Sequence, residues 1–293
     1  MDITLIQPWI PVLISSVIAI RSFRRKSIEL SGALAVFLVM TIRFAAGDWI
    51  GAMFLVFFFT SSKLTEDGKV KKRRIGFDSK EGGQRNRNTD AQRMSEIERT
   101  NFRRNDLNFT ALSVLVGILS DWEEDKCLDS NESVLITKLM GGIIGHYSCS
   151  NANSLSSEIG INSRDRPRLI TNFEPILRCT NGAVTKTGLR SALAAGTVVG
   201  LTFVLAGMTT TSCIDIMVMK ELSVIPFSVV AGLVGKVSYV LCWEQSFNSA
   251  VVAKPGATVR KIAGRDYLDN DDVNLVSVQL TTLISLAACV YVF

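Results

Sequence analysis

Residues 191–212 read SALAAGTVVGLTFVLAGMTTTS, and none of them is Asp, Glu, Lys or Arg. A helix in a soluble core needs only an apolar stripe. One that crosses a bilayer core of about 30 Å needs roughly 20 apolar residues in succession. The stretch Val273–Phe293 is equally free of these charges, and Leu222–Trp243 carries one of them, Lys236. Such segments have no stable place in water. The chain is therefore read as an all-α, polytopic helical membrane protein whose first partner is the lipid bilayer.

Composition alone would not decide this, since 47% apolar residues among 293 also suits soluble domains. The distribution of charge does. Ionisable residues crowd into 21–29, 63–106 and 260–272 and leave the apolar stretches almost bare. A net charge of +5 is compatible with nucleic-acid binding. The basic residues flank apolar spans, however, and no basic and aromatic platform accompanies them, so a membrane surface is the expected partner and nucleic acid is not. The six cysteines form no Cys-x-x-Cys pair, and His146 is the only histidine. No His/Cys metal cluster can be assembled from them; Glu158 is the most that could serve a metal.

A first span over Ile3–Ile20 ends at Arg21, Arg24, Arg25 and Lys26, with no basic side chain before it. This predicts a retained helix with a non-cytosolic N-terminus. Leu30–Ser62 is too long for one crossing and is interrupted at Arg43 and Gly47-Asp48, which predicts two short helices over Ser31–Ala46 and Trp49–Thr60. Residues 63–106, with Lys71-Lys72-Arg73-Arg74 and Arg103-Arg104, read as a long basic, disordered cytosolic loop within one membrane domain spanning 1–293. Leu107–Leu119 and Val134–Tyr147 are weaker spans, giving six to eight crossings in all. On the eight-span reading, the basic segment 149–190 and the mixed segment 244–272 face the cytosol, and the acidic 121–133 loop faces away. Asn108-Phe-Thr110 and Asn131-Glu-Ser133 match the N-glycosylation pattern.

Ala192, Gly196 and Gly200 recur every four residues, as on a close-packed helix face, and Gly141, Gly142 and Gly145 are expected to loosen or kink their helix. The polar stretch Ser148–Gly188 is read as cytosolic. Its Asn151, Asn153, Ser156, Ser157, Glu158, Thr180-Asn181-Gly182 and Thr185 suit a phosphate or nucleotide held by backbone N–H groups, and equally suit an ordinary turn. No charged residue is expected firmly mid-membrane, which counts against a solute transporter.

Further stretches carry a family likeness. They are Lys26-Ser27 with Leu30-Ser31-Gly32, Phe37-Leu38-Val39-Met40-Thr41, Thr60-Ser61-Ser62-Lys63-Leu64-Thr65 and Glu81-Gly82-Gly83-Gln84-Arg85-Asn86. Later come Gly141-Gly142-Ile143-Ile144-Gly145-His146-Tyr147, Pro167-Arg168-Leu169-Ile170-Thr171, Thr180-Asn181-Gly182, Lys254-Pro255-Gly256, and Leu268-Asp269-Asn270 with Val273-Asn274. In this order they resemble the transmembrane protein 19 (DUF92) family, and within it a plant branch of plasma membrane glucose-responsive regulators. The resemblance implies a multi-helix membrane fold and a plasma membrane or endomembrane location.

Distant members of the family are phytyl phosphate kinases, so the resemblance also raises an isoprenoid phosphate as ligand, with Mg²⁺ and CTP as cofactors. Mg²⁺ on a triphosphate wants carboxylate ligands. The family's Asn-Gly-Asp-Thr-Trp run reads Asn151-Ala152-Asn153-Ser154-Leu155 here, followed by Ser157-Glu158-Ile159-Gly160. Its second acid, in Gly-Ser-Leu-Ile-Asp-Ser, corresponds to Gly235-Lys236-Val237-Ser238-Tyr239, which has none. After Asn86 the charged segment Arg87–Asn105 replaces an apolar family span. The expectation is a regulator or scaffold with a degenerate site. The alternative is a working kinase using Glu158, Asn153 and the Thr180–Gly182 turn.

Overall fold

The computed structural model describes residues 9–24, 30–61, 63, 109–120, 128–175, 183–210, 220, 222–246 and 270–293. The expected loop beyond Lys63, the segment Arg87–Asn105, Asn108 and the Thr180-Asn181-Gly182 turn lie outside the described residues. Within them the chain forms eight longer α-helices: α1 Trp9–Arg24, α2 Leu30–Ala46, α3 Asp48–Ser61, α4 Phe109–Leu119, α5 Val134–Asn162, α6 Lys186–Thr210, α7 Val224–Ser246 and α8 Asn270–Val292. The described residues contain no strand; isolated bridges join Arg168 to Pro175 and Val184.

Three helices are long and apolar enough to cross a bilayer: Lys186–Met208 in α6, Val224–Cys242 in α7 and Asp272–Val292 in α8. Their outward surfaces are apolar, with Leu201, Leu205 and Met208 of α6, Val230 of α7 and Leu280, Leu283 and Ile284 of α8 exposed. On α1, Trp9, Leu13 and Val17 are exposed at four-residue intervals. The buried set includes Thr137, Ser148, Asn151, Asn153, Ser156, Ser228, Ser277, Thr281 and Ser285. Apolar outside and polar inside is the arrangement lipid selects, because a lone hydroxyl or amide facing hydrocarbon costs about 2–7 kcal/mol.

The break expected near residue 47 is present. Gly47 adopts φ 157° and separates α2 from α3, while its carbonyl accepts from Ile50 and Gly51 to start the second helix. Arg43, by contrast, interrupts nothing. It lies in the last turn of α2, 1% exposed, with its guanidinium 4.4 Å from the Phe54 ring, 4.7 Å from Phe109 and 5.9 Å from Tyr147. His146 stacks on Phe109 at 4.0 Å, so this aromatic nest ties α2, α3 and α4 to α5. The expectation that no charge sits firmly inside the membrane region is thereby corrected. Arg43 and Lys236 are both buried, which a count of hydropathy along the chain cannot show.

α5 is the central helix and touches α6, α7 and α8. It runs for 29 residues, about 43 Å at 1.5 Å per residue, instead of ending near Tyr147. The segment 148–162, read from sequence as the start of a cytosolic stretch, is therefore the second half of a core helix. Its glycines do not end it. A Cβ on Gly141 would meet Cys289, one on Gly142 would meet Leu286, and one on Gly145 would meet Ser285, so these positions let α8 lie directly against α5. Likewise a Cβ on Gly196 would lie 2.6 Å from the Ser228 carbonyl and one on Gly200 2.7 Å from Ile225 Cα, which makes the expected small-residue face the contact with α7.

At the end of the bundle where α5 starts, Ser133 caps it by accepting from Ile136 N. Asp129 accepts from Asn131 backbone and side chain, both at 3.0 Å, and pairs with Lys220 at 3.0 Å. Lys220 and Ser130 N both donate to the Phe293 carbonyl, which fastens the last turn of α8 here. The hydrogen bonds from Asn131 and Lys220 hold the Asp129 carboxyl below its ordinary value of 3.8.

Two outcomes follow. Gly145→Leu lowers the thermal midpoint of the detergent-solubilised protein by the equivalent of about 1–3 kcal/mol of overpacking, while Val230→Leu on the lipid side leaves it unchanged. Asp129→Asn also lowers the midpoint. Because folding depresses this pKa, the stabilisation is complete above about pH 4 and fades as pH falls through the lower folded value. The gap between wild type and variant in thermal scans is therefore constant at neutral pH and narrows on acidification.

Candidate functional site

The polar residues singled out in sequence divide into two places. Asn151, Asn153 and Ser156 are buried in α5 at 2%, 5% and 4% exposure, inside the bundle. Glu158 is half-buried further along the same helix, and Thr185 lies across the loop at the start of α6.

The inner group is organised by spacing. Gly141, Gly145, Cys149 and Asn153 follow one another at four-residue intervals on α5, and Cys289, Ser285, Thr281 and Ser277 do the same in reverse on α8. Their contacts match in antiparallel order: Gly141 against Cys289, Gly145 against Ser285, Cys149 hydrogen-bonded to Thr281, and Asn153 Nδ2 donating to Ser277 Oγ at 3.2 Å. Helical residues four apart share a face, so each row forms one edge of the contact. Asn153 Nδ2 also lies 3.6 Å from Cys149 Sγ, and Asn153 Oδ1 is buried without a partner. On the other side of Cys149 stands α7, where a Cβ on Gly235 would meet Cys149 and where Lys236 is within electrostatic reach of the same thiol. Lys236 is 5% exposed, with Nζ 4.6 Å from the centre of its own helix's Tyr239 ring. Sequence reasoning passed over Cys149, Lys236, Ser277 and Thr281 as site residues. The four-residue spacing on α5 and α8 is the signal that could have found three of them.

Asn151 is held differently, accepting at Oδ1 from Thr60 Oγ1 of α3 at 3.1 Å. Thr185 is the N-cap of α6: its hydroxyl accepts from Gly188 N at 3.0 Å. Beside it, Asp165 Oδ2 accepts from Thr187 N at 2.8 Å and Thr187 Oγ1 at 2.7 Å. These bonds hold the Asp165 carboxyl below its ordinary range, with Arg190 and Lys186 adding attraction. The N–H groups of Thr187 and Gly188, which could have met a phosphate, are bonded to the chain itself. Gly160 and Gly188 allow the two helix ends to meet here, since a Cβ added to either would lie 3.6 Å from the Cα of the other.

A Mg²⁺ ion does not suit the inner group. A hard cation wants carboxylate oxygens, and Asn153 turns its NH₂ toward Ser277 with Lys236 nearby. Among the described residues no three His, Cys, Asp or Glu side chains come together as a metal site.

Comparison with known proteins agrees with this architecture. The chain is 50% identical over 292 residues to Protein PGR of Arabidopsis thaliana, covering 96% of each. Over 60 residues it is 37% identical to the Uncharacterized membrane protein MJ0933 of Methanocaldococcus jannaschii, which covers 20% of this chain and 25% of that protein. No solved structure matches it. The family model described as Integral membrane protein DUF92 matches residues 13–282, and the chain belongs to that family of integral membrane proteins.

Proposed function

We propose that this protein is a membrane-embedded regulator or scaffold of the glucose-response type, in which the phosphate-transfer site of its kinase relatives no longer turns over. The observation that carries the reading is Asn153. It occupies the family's carboxylate position, is buried at 5% exposure, and spends its amide N–H groups on Ser277 and Cys149. Electrostatic stabilisation by a correctly placed charge is worth several kcal/mol in a phosphoryl-transfer transition state, so removing it lowers the rate by about 10²–10³. Kinship to Protein PGR of Arabidopsis thaliana supports the regulatory side of the reading.

The kinase alternative draws on Glu158, which stands half-buried where α5 approaches the basic loop holding Arg164, Arg166 and Arg168. The two readings separate in one assay. Purified protein given phytyl phosphate, Mg²⁺ and CTP forms no diphosphate above the level of its Glu158→Ala variant. Asn153→Asp gains nothing, because Lys236 still stands beside the site. Turnover by wild type that is lost in Glu158→Ala reverses the assignment.

We place the protein in the plasma membrane or an endomembrane with its N-terminus on the non-cytosolic side. The exposed cations Arg164, Arg166, Arg168, Lys186 and Arg190 gather at the end of the bundle where α5 meets α6, opposite the Asp129–Lys220 end. Cations of this kind are retained in the cytosol. Measured above the parent's own labelling in intact cells, Asn131→Cys reacts with a membrane-impermeant maleimide and Arg166→Cys reacts only after permeabilisation. The opposite pattern inverts the topology.

A further inference from the structure

We infer that the turn over residues 168–175, between α5 and α6, is a membrane-surface wedge: Phe173 enters the headgroup region of an anionic leaflet while the cations around it hold the charged headgroups. This surface lies outside the inner seam and is independent of whether that seam turns over.

Hydrogen bonds fix where the turn sits. Arg168 N donates to the Val184 carbonyl at 2.9 Å, and Val184 N donates back to Arg168 O at 2.8 Å. Val184 lies two residues before Lys186, where the membrane-spanning segment of α6 begins. Paired backbones run about 5 Å apart, so Arg168 is held close beside the chain as it enters the span, within the headgroup region. Beyond it, Leu169 N donates to the Glu174 carbonyl at 3.0 Å and closes a tight turn with Phe173 near its tip.

Phe173 is strained there. Its φ is 58°, and among the described residues no other residue but glycine has a positive φ. A side chain of this size resists the left-handed region, which glycine or asparagine enters readily. The turn imposes it nonetheless: Arg168 Nη1 donates to the Phe173 carbonyl at 2.8 Å, and Asn172 Oδ1 accepts from Glu174 N at 3.1 Å. The ring finds little shelter in return, being 66% exposed. Backbone strain that presents an apolar ring outward points to a contact beyond the chain.

Charge identifies that contact. Arg164, Arg166, Arg168, Lys186 and Arg190 are exposed on the turn and the start of α6, against two carboxylates, Asp165 and Glu174. Asp165 is already bonded to Thr187. An acidic protein segment would answer the cations and leave the ring in a polar setting. An anionic lipid answers both, with charge at its headgroup and hydrocarbon just beneath. Basic residues beside a membrane attract anionic lipid, and aromatic rings settle at the acyl boundary.

The test uses the full-length protein in nanodiscs of phosphatidylcholine, alone or mixed with phosphatidylglycerol, with acyl chains brominated in one set and plain in the other. Phe173→Trp adds one emitter to the four tryptophans of the chain, and its emission is the difference from the parent in the same discs. Other basic segments also attract anionic lipid, so the local signal at position 173 decides and bulk binding does not. Bromine quenches the added emission at least twofold more in discs containing phosphatidylglycerol. Arg164→Gln with Arg166→Gln, combined with Phe173→Trp, removes that difference, and raised salt diminishes it. Separately, Phe173→Gly in neutral maltoside melts at or above the wild-type temperature, because the backbone is relieved and no packing is lost. The wedge is overturned by absent quenching, by equal quenching in both lipid mixtures, or by a difference that survives the arginine changes. A lower midpoint in Phe173→Gly makes the ring structural and overturns it too. Emission that bromine leaves unchanged and an acidic peptide shifts gives the surface to a protein partner instead.

Discussion

The close approach of α8 to α5 is the constraint on which the rest of the molecule depends. In lipid there is no hydrophobic gain from pressing two apolar helices together, so association relies on backbone proximity, packing and hydrogen bonds. Gly141 and Gly145 remove the side chains that would hold α8 away, and Cys149–Thr281 and Asn153–Ser277 add hydrogen bonds further along the same edge. The Phe293 carbonyl, gripped by Lys220 and Ser130, fastens one end of that contact. With α8 in this register, α7 meets α5 through Gly235 and α6 through Gly196 and Gly200. The bundle is assembled from small residues, each placed where a larger one would force a gap.

This has a chemical consequence. A helix contact made of Ser, Thr, Asn and Cys is also a polar channel through an apolar body. Part of its hydrogen-bonding capacity is left unmatched. Around Cys149 the side-chain oxygens of Ser148 and Asn153 are buried without a hydrogen-bond partner, and Lys236 is buried beside them. Arg43 shows how the same fold deals with a purely structural cation. It is wrapped by Phe54, Phe109 and Tyr147 and donates to Thr110 at 3.4 Å. Lys236 has a single ring from its own helix.

Asn153 of α5 and Lys236 of α7 both border Cys149. A site built for a metal cation concentrates negative charge so that an ion can be dehydrated and held. Here the protein itself contributes the positive charge, and a mobile cation becomes unfavourable.

Membrane class, the break at Gly47, and the small-residue face of α6 were legible in the sequence because each depends on local composition. A run of uncharged residues prefers lipid wherever it lies, and a glycine every four residues marks a face whatever the partner. The fate of Ser148–Asn162 was not legible in the same way. Its polar residues look like a solvated loop when averaged along the chain. They form a core helix in which Ser277 of α8 and Thr60 of α3 stand at the heights of Asn153 and Asn151. Sequence by itself determined that the chain dissolves in a bilayer. Which polar groups face each other, and which of them are left unmatched, was decided by the register between helices distant in sequence, since hydrogen bonding in lipid depends on partners and not on composition.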